Sequence, residues 1–537
     1  MCDLNNNQPR GHEPPPASLF VEDLVEELAN RTLNLTLSGL KGCCSSSEML
    51  ETFFGNTSTK KFAYDLSATF HSALADLMRS GFLPRNDRFL RNFHCVLTFC
   101  RVNLKNCPAS FDDLDAQVID FVMNETKKKI GYEKIRLLGL VRLMRPFVDT
   151  PGEADETVAI FNESVVASTY MMFRGFAFSR EQMKRLCAYV DKEVRVSEKA
   201  AFAIAGQPFN VHNSKATRKI LDSLKIRGGK ATCTLADLEV LDHPIAPHII
   251  RARRLFNAEQ TLQQLTAFVE KDERIHAHFD PLNSCSGRIF AKKPEIQFLP
   301  KERILGGVSC RSVFCAAEGH TLLSLDFRQV ELRMLAALSG DAFLLEMLAG
   351  EGDPFETTAE RLTAQFETPF TRALVKKIFY SLVYGMGTNS LAHLLQCNAE
   401  RAAEVQEAMF GQFDGVRTWI NAVTQTALKR GRTTNPWGLS MCVEGWTENT
   451  VRRRAPNFVI QSSVAYLVRK AMNEVSEKLD ADLGGLVLQM HDEFILEVRT
   501  EHADFCADLT KRIMEHEFRG VHFPVRIKRG ANWCELE

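Results

Sequence analysis

The stretch LVLQMHDEFILEV, Leu486 to Val498, decides how this chain is read. Two apolar runs flank His491, Asp492 and Glu493, three ionisable side chains in succession. Val487, Leu488, Phe494, Ile495 and Leu496 are β-branched, aromatic or aliphatic, so a strand is expected on each side. The polar triplet then falls at the bend of a hairpin. An ordinary polar turn accounts for the triplet but not for apolar walls on both flanks. A carboxylate placed where water is scarce needs a cation, a hydrogen-bond donor or a raised pKa. Both readings fit this stretch alone, and the rest of the sequence has to supply the missing cation.

A second carboxylate lies in TLLSLDFRQVELRMLAALSGD, residues 321–341. Leu322 to Leu325 reads as a strand ending at Asp326, followed by a helix whose buried side carries Val330, Leu332, Leu335, Ala336 and Leu338. A strand-end aspartate suits a metal ligand, because the strand fixes the carboxylate at the rim of a sheet. A helix N-cap is the alternative for Asp326. Between the two carboxylates runs TRALVKKIFYSLVYGMG, residues 371–387. Arg372, Lys376, Tyr380 and Tyr384 recur every four residues and share one helix face, with Gly385 as the stop. Two cations followed by two aromatics suit a nucleoside triphosphate, the cations on phosphates and a ring against base and sugar. An amphipathic helix with solvated cations and core tyrosines is the alternative. Taken together, two carboxylates on separate strands can hold two divalent cations about 3.5–4 Å apart for in-line displacement at phosphorus. The chemistry indicated is nucleotidyl transfer.

Composition sets the frame. With 537 residues there is room for two to four domains, and no apolar run of about 18 residues calls for a membrane span. Fifteen cysteines, an odd number, fit a reducing compartment better than a disulfide framework. His94, Cys95, Cys100 and Cys107 match no zinc spacing. The net charge of −1 does not advertise a nucleic-acid binder, yet residues 1–30 alone carry six acids against Arg10, leaving the remainder positive. Basic clusters stand at Arg251/Arg253/Arg254, Lys292/Lys293, Lys376/Lys377 and Arg452/Arg453/Arg454. A proline-bearing lead reads as disordered, TPGEADE marks a break near residue 151, and residues 165–275 are mostly long amphipathic helices.

The three segments resemble motifs A, B and C of family A DNA polymerases, in the family's order: DFRQVELR (326–333), Arg372 to Gly385, and Gln489 to Glu493. SCSGRIFAKKPEIQFLP, AGQPFNVHNS, RRAPNFVIQSSVA and the closing GANWCELE resemble further family segments, so the likeness runs from about Tyr170 to the end of the sequence. Motif detail (Tyr380, the GMG at 385–387, DPF at 353–355) looks more like eukaryotic polymerases theta and nu than like bacterial DNA polymerase I. The resemblance implies an α+β right-hand fold: a disordered tail at 1–25, a degenerate 3′–5′ exonuclease-like domain at 26–160, thumb at 161–285, palm at 286–345 and 440–537, and fingers at 346–439. FDDLDAQVIDFVM (111–123) faintly resembles the exonuclease helices, and no D-x-E strand stands in residues 1–150, so proofreading is not expected.

Carried over by the same resemblance, Asp326, Asp492 and the Phe327 carbonyl hold two Mg²⁺ ions, with Mn²⁺ as the alternative, and Glu493 supports that site. Arg372 and Lys376 bind the triphosphate, Lys376 also acting in catalysis. Glu331 is the steric gate against a ribose 2′-OH and Tyr380 packs on the sugar. Tyr384 sits by the templating base, and Arg288, Asn457, Gln461, Gln489 and His491 touch the primer–template. The implied partners are primer–template DNA and dNTPs, with no membrane and a monomeric chain in the nucleus, or alternatively the mitochondrion. Repair or lesion bypass is the implied setting. A catalytically weak DNA-binding scaffold and a single-subunit RNA polymerase are the competing readings. Several positions depart from the family pattern: Arg328, Phe290-Ala291, Glu295, Phe298, GLSM at 438–441, and Tyr466. They remove contacts typically of order 1 kcal/mol each and bear on DNA affinity and fidelity.

Overall fold

A computed structural model describes residues 154–537, apart from 227–232, 282–283, 302, 306–307 and 351–352. It also describes two short parallel strands, Lys61–Ala63 and Phe93–Cys95. The expected tail, most of the exonuclease-like domain, residues 111–123, Cys100 and Cys107 lie outside the described residues. Among the described residues no helix is long and apolar enough to cross a membrane.

The centre is an antiparallel sheet of four strands: β1 (His320–Phe327), β2 (Gly484–Met490), β3 (Glu493–Arg499) and β4 (Val525–Gly530). Their order across the sheet is β2-β3-β1-β4. Leu322 and Leu323 on β1, and Phe494, Ile495 and Leu496 on β3, are all fully buried. Neighbouring residues of a strand point to opposite faces, so both faces of this sheet are covered. At one rim the apolar runs of β1, β2 and β3 give way, at Asp326 and at the His491-Asp492 bend.

Helices surround the sheet: α1 (Ala154–Arg174), α2 (Arg180–Ala205), α3 (Ile245–Thr266), α4 (Val330–Ser339), α5 (Pro354–Phe366), α6 (Arg372–Val383) and α7 (Glu448–Lys478). The 31-residue α7 is buried over much of its length. It carries α1 through polar as well as apolar contacts: Tyr466 Oη donates to Glu156 at 2.9 Å and Asn473 Nδ2 to the Ile160 carbonyl at 2.8 Å. The buried Arg469 guanidinium lies 4.0 Å from the centre of the Phe161 ring and donates to the Gly287 carbonyl at 2.6 Å. The departure at Tyr466 is thereby explained: the phenol docks α1 and stacks on Trp437, with 4.3 Å between rings. The division expected at 160/161 falls inside α1, whose apolar side belongs to the α7 core; the break in the sequence precedes this helix. Likewise, a hairpin pairing His278–Asp280 with Phe290–Lys292 crosses the division expected at 285/286.

The α2–α3 pair forms an arm that carries a small apolar cluster of its own, including Ala201, Val211, Ile220, Leu238 and Ile249. Within it, Arg253 donates to the Val211 and Cys233 carbonyls, each at 2.6 Å, and to Thr217 Oγ1 at 2.8 Å. Its cluster-mates are paired too, Arg251 with Glu193 at 2.7 Å and Arg254 with Glu239 at 2.6 Å. This basic cluster therefore builds the arm rather than offering three free cations.

Candidate active site

The hairpin that the opening stretch predicts is present. Met490 pairs with Glu493 across a two-residue bend, and His491 adopts a φ of 57°. For a side chain with a Cβ this left-handed backbone costs roughly 1–2 kcal/mol, which the paired strands have to hold in place. On the other flank, Glu493 faces Asp326 in register and the Phe327 N–H donates to the Asp492 carbonyl at 3.2 Å. Two aspartates remote in sequence are thus set side by side by adjacent strands. Asp326 caps no helix: the N-cap of α4 is Gln329, itself at φ 55° and without a side-chain capping bond. Glu493 turns to Ser324, whose hydroxyl donates to it at 2.5 Å.

Both carboxyls are held above their usual range by their surroundings. Burial, and next the charge of Glu493, raise the Asp326 carboxyl to about 6. Burial, and next the charge of Asp326, raise Asp492 to about 7. The donor set of carboxylates and a carbonyl is all hard oxygen, which fits Mg²⁺ or Mn²⁺. Among the described residues no three His, Cys, Asp or Glu side chains converge as a ready-made site. A magnesium ion held by one or two carboxylates completes its shell with water and phosphate oxygens, so two aspartates are enough.

A pH dependence follows. A carboxyl whose folded pKa lies above its unfolded value of about 3.9 stabilises the fold fully below that value, and loses this contribution as pH rises through the folded pKa. In chelator, the wild-type melting temperature is expected to fall relative to Asp326→Asn as pH is raised from about 5 to about 8. Magnesium should close that gap at the upper end, where the carboxyls are ionised. Parallel melting curves across this range would contradict the account.

Facing the sheet rim, α6 brings its stripe as expected. Tyr380 and Tyr384 have ring centres 6.1 Å apart, and Lys376 Nζ lies 6.0 Å from the Tyr380 ring. Glu331, at the start of α4, accepts from Arg288 at 2.6 Å and from the Tyr384 hydroxyl. Burial first, and the Glu331 charge second, raise both phenols, which therefore stay protonated. His491 is pushed below its usual range by burial and then by Arg288, so it is neutral at pH 7. Gly385 closes α6 at φ 81°; a Cβ there would lie 2.7 Å from Arg453 Cγ and 2.9 Å from its Cα.

The remaining expected residues stand slightly apart. Arg372 is ion-paired with Asp353 at 2.6 Å. Asn457 and Gln461 sit one turn apart on α7, both half-buried. Gln489 donates to the His491 carbonyl at 2.8 Å, while its Oε1, like Asn457 Oδ1, is buried without a partner. An open cleft of about 720 Å³ is lined by Lys376, Lys377, Tyr380, Tyr384 and Arg453, among others. Arg453, Lys377 and Asp353 were not singled out from the sequence as site residues. Arg453 stands four residues before Asn457, and that spacing could have drawn it in.

A sheet rim bearing two carboxylates and faced by a cationic, tyrosine-bearing helix is the palm and fingers of a right-hand polymerase fold. The sequence model described as DNA polymerase family A matches residues 180–535, and the chain belongs to that family. It is 26% identical over 396 residues to DNA polymerase theta of Caenorhabditis elegans, covering 70% of this chain and 24% of that one. It is 30% identical over 378 residues to the thermostable DNA polymerase I of Thermus thermophilus, covering 66% and 45% respectively. The chain thus spans less than half the length of these relatives. A similar fold is that of the POL domain of Pol1 from M. smegmatis, solved with DNA primer-template and dNTP. The TM-score is 0.75 at 23% identity, covering 91% of this chain and 88% of that one.

Proposed function

We propose that this chain is a DNA-directed DNA polymerase, extending a primer by nucleotidyl transfer on a template. The observation that carries the reading is the placement of Asp326, at the end of β1, beside Asp492, in the adjoining β2–β3 bend, opposite the Lys376–Tyr384 face of α6. Asp326, Asp492 and the Phe327 carbonyl would hold Mg²⁺, or Mn²⁺, with Glu493 supporting the pair. Two such ions, when bound, supply Lewis-acid stabilisation of the attacking and leaving oxygens.

The side chains divide the rest of the work. Lys376 places a compact positive charge where the triphosphate is held, and Arg372 adds a planar fork of donors. Tyr380 offers its ring to the sugar. Glu331, fixed by Arg288 and Tyr384, occupies the space a 2′-hydroxyl would need. Neutral His491, and the unpartnered carboxamide oxygens of Asn457 and Gln489, suit the primer end and the minor groove, where a guanine amino group is the available donor. On this reading α2 and α3 belong to the thumb, the four-stranded sheet to the palm, and α5 and α6 to the fingers.

A tyrosine at position 380 carries a further expectation from the family likeness. Dideoxynucleotides should be incorporated nearly as readily as dNTPs, and Tyr380→Phe should reject them by roughly tenfold or more, since the phenol can supply the hydrogen bond that the missing 3′-hydroxyl no longer makes and a phenyl ring cannot. Chain-termination assays on a primed template read this directly; strong rejection by the wild type would remove Tyr380 from the sugar site. Repair or bypass synthesis without proofreading rests on the theta/nu-like motif detail and on the sequence of residues 1–150, in which no D-x-E pattern occurs. A primer with a 3′ mismatch should survive incubation with the protein, and its shortening would contradict that part of the reading.

A further inference from the structure

Arg372 does not stand free at the head of α6. Its Nε donates to Asp353 Oδ2 at 2.6 Å, and its Nη2 is ion-paired with the same oxygen at 2.6 Å. The other oxygen of the same carboxylate, Oδ1, accepts from the Phe355 N–H at 2.9 Å and the Glu356 N–H at 3.4 Å. One half of Asp353 therefore caps α5, and the other holds an arginine in the first turn of α6. Burial raises the Asp353 carboxyl, but the Arg372 hydrogen bond and the capping bonds outweigh it and leave the group below its usual range. Two residues on, the Phe355 ring packs 5.5 Å from Phe379 and 6.0 Å from Tyr380. The segment Asp353-Pro354-Phe355 thus grips α6 at two places, its leading guanidinium and its sugar-facing ring.

We propose that Asp353 is a positioning residue for nucleotide binding, acting through Arg372. The inference rests on reading α6 as the triphosphate helix. A guanidinium has five N–H groups. Asp353 engages Nε and Nη2 along one edge, which leaves Nη1 and the second Nη2 hydrogen to meet phosphate oxygens. A long side chain fixed before its ligand arrives loses less freedom on binding, so the triphosphate binds more tightly. The opposite role, an internal anion that competes with the phosphates, would weaken binding and so predicts the opposite sign.

Asp353→Asn separates the two functions of the carboxylate, because an asparagine oxygen still caps α5 while its charge is lost. Steady-state primer extension at saturating primer–template should show KM for the dNTP rising roughly fivefold, as expected for an exposed ion pair, with kcat little changed. Primer–template affinity and melting temperature should stay at wild-type values. Arg372→Ala should raise KM as well, and Asp353→Asn should add nothing further in that background. If Asp353→Asn leaves KM unchanged or lowers it while Arg372→Ala raises it, the positioning role is overturned and the reading of α6 survives. If Arg372→Ala leaves KM unchanged, the reading of α6 falls and this inference with it. Full additivity of the two substitutions would also overturn the positioning role, since the residues would then act independently.

Discussion

Replacing Asp492 by asparagine is expected to lower the rate of nucleotide incorporation by on the order of 10³-fold or more, the scale on which an enzyme loses a preorganised charge at the reacting centre. The fold should survive. Asp492 lies in the bend, its carbonyl rather than its carboxylate accepts the Phe327 N–H, and the β2–β3 pairing needs neither carboxylate oxygen. In the absence of divalent cations the variant should even be more stable than the wild type near pH 8, because the cost of burying an ionised carboxylate, and next its repulsion with Asp326, is gone. Primer–template affinity should be retained. A single-turnover extension assay, paired with a melting curve in chelator, separates these outcomes. Loss of activity with loss of fold would say nothing about the site, whereas a folded variant with wild-type activity would remove Asp492 from the chemistry.

The second large effect is expected at Glu331. Its carboxylate is a shared acceptor, taking hydrogen bonds from Arg288 on one side and from Tyr384 on the other. Held in this way, it cannot swing aside for a 2′-hydroxyl without breaking an ion pair and a phenol bond together. Glu331→Ala removes the obstruction and frees both partners. The ratio of kcat/KM for dATP to that for ATP should fall by roughly 10²-fold, within the span over which enzyme sites reject a near-isostere. Glu331→Gln keeps the volume but loses the charge. It should retain most of the sugar discrimination while raising KM for both nucleotides, because the Arg288 pair is broken. If Glu331→Ala discriminates against ATP as the wild type does, the gate lies elsewhere.

The sequence foretold the site's strands better than its neighbourhoods. Apolar runs ending at Asp326 or flanking the His491-Asp492-Glu493 triplet pointed to β1, β2 and β3, because a buried strand leaves few other places for such a run to go. Period-four spacing fixed α6 for a similar reason. What stayed hidden depended on partners remote in the chain. Nothing in RARR, residues 251–254, distinguishes the buried Arg253, with its two carbonyl acceptors, from its exposed neighbours. Nothing in DPF announces that Asp353 would reach Arg372, since a capping aspartate already satisfies the local pattern. Nothing around Tyr466, a departure from the family pattern, announces that its phenol anchors α1 through Glu156. The division expected at 160/161 falls inside α1, because that helix finds its apolar partner in α7.

The most direct measurement is primer extension by the wild-type chain on a defined primer–template, with dNTPs or rNTPs supplied separately, each with Mg²⁺ or with chelator. The account predicts template-matched elongation with dNTPs that requires the cation and far exceeds elongation with rNTPs. A folded protein that binds the primer–template but does not extend it would mark the chain as a scaffold. Extension favouring rNTPs would place the chain among RNA-synthesising enzymes instead. The first result would contradict the reading of Asp326 and Asp492, and the second that of Glu331, on which the proposed function stands.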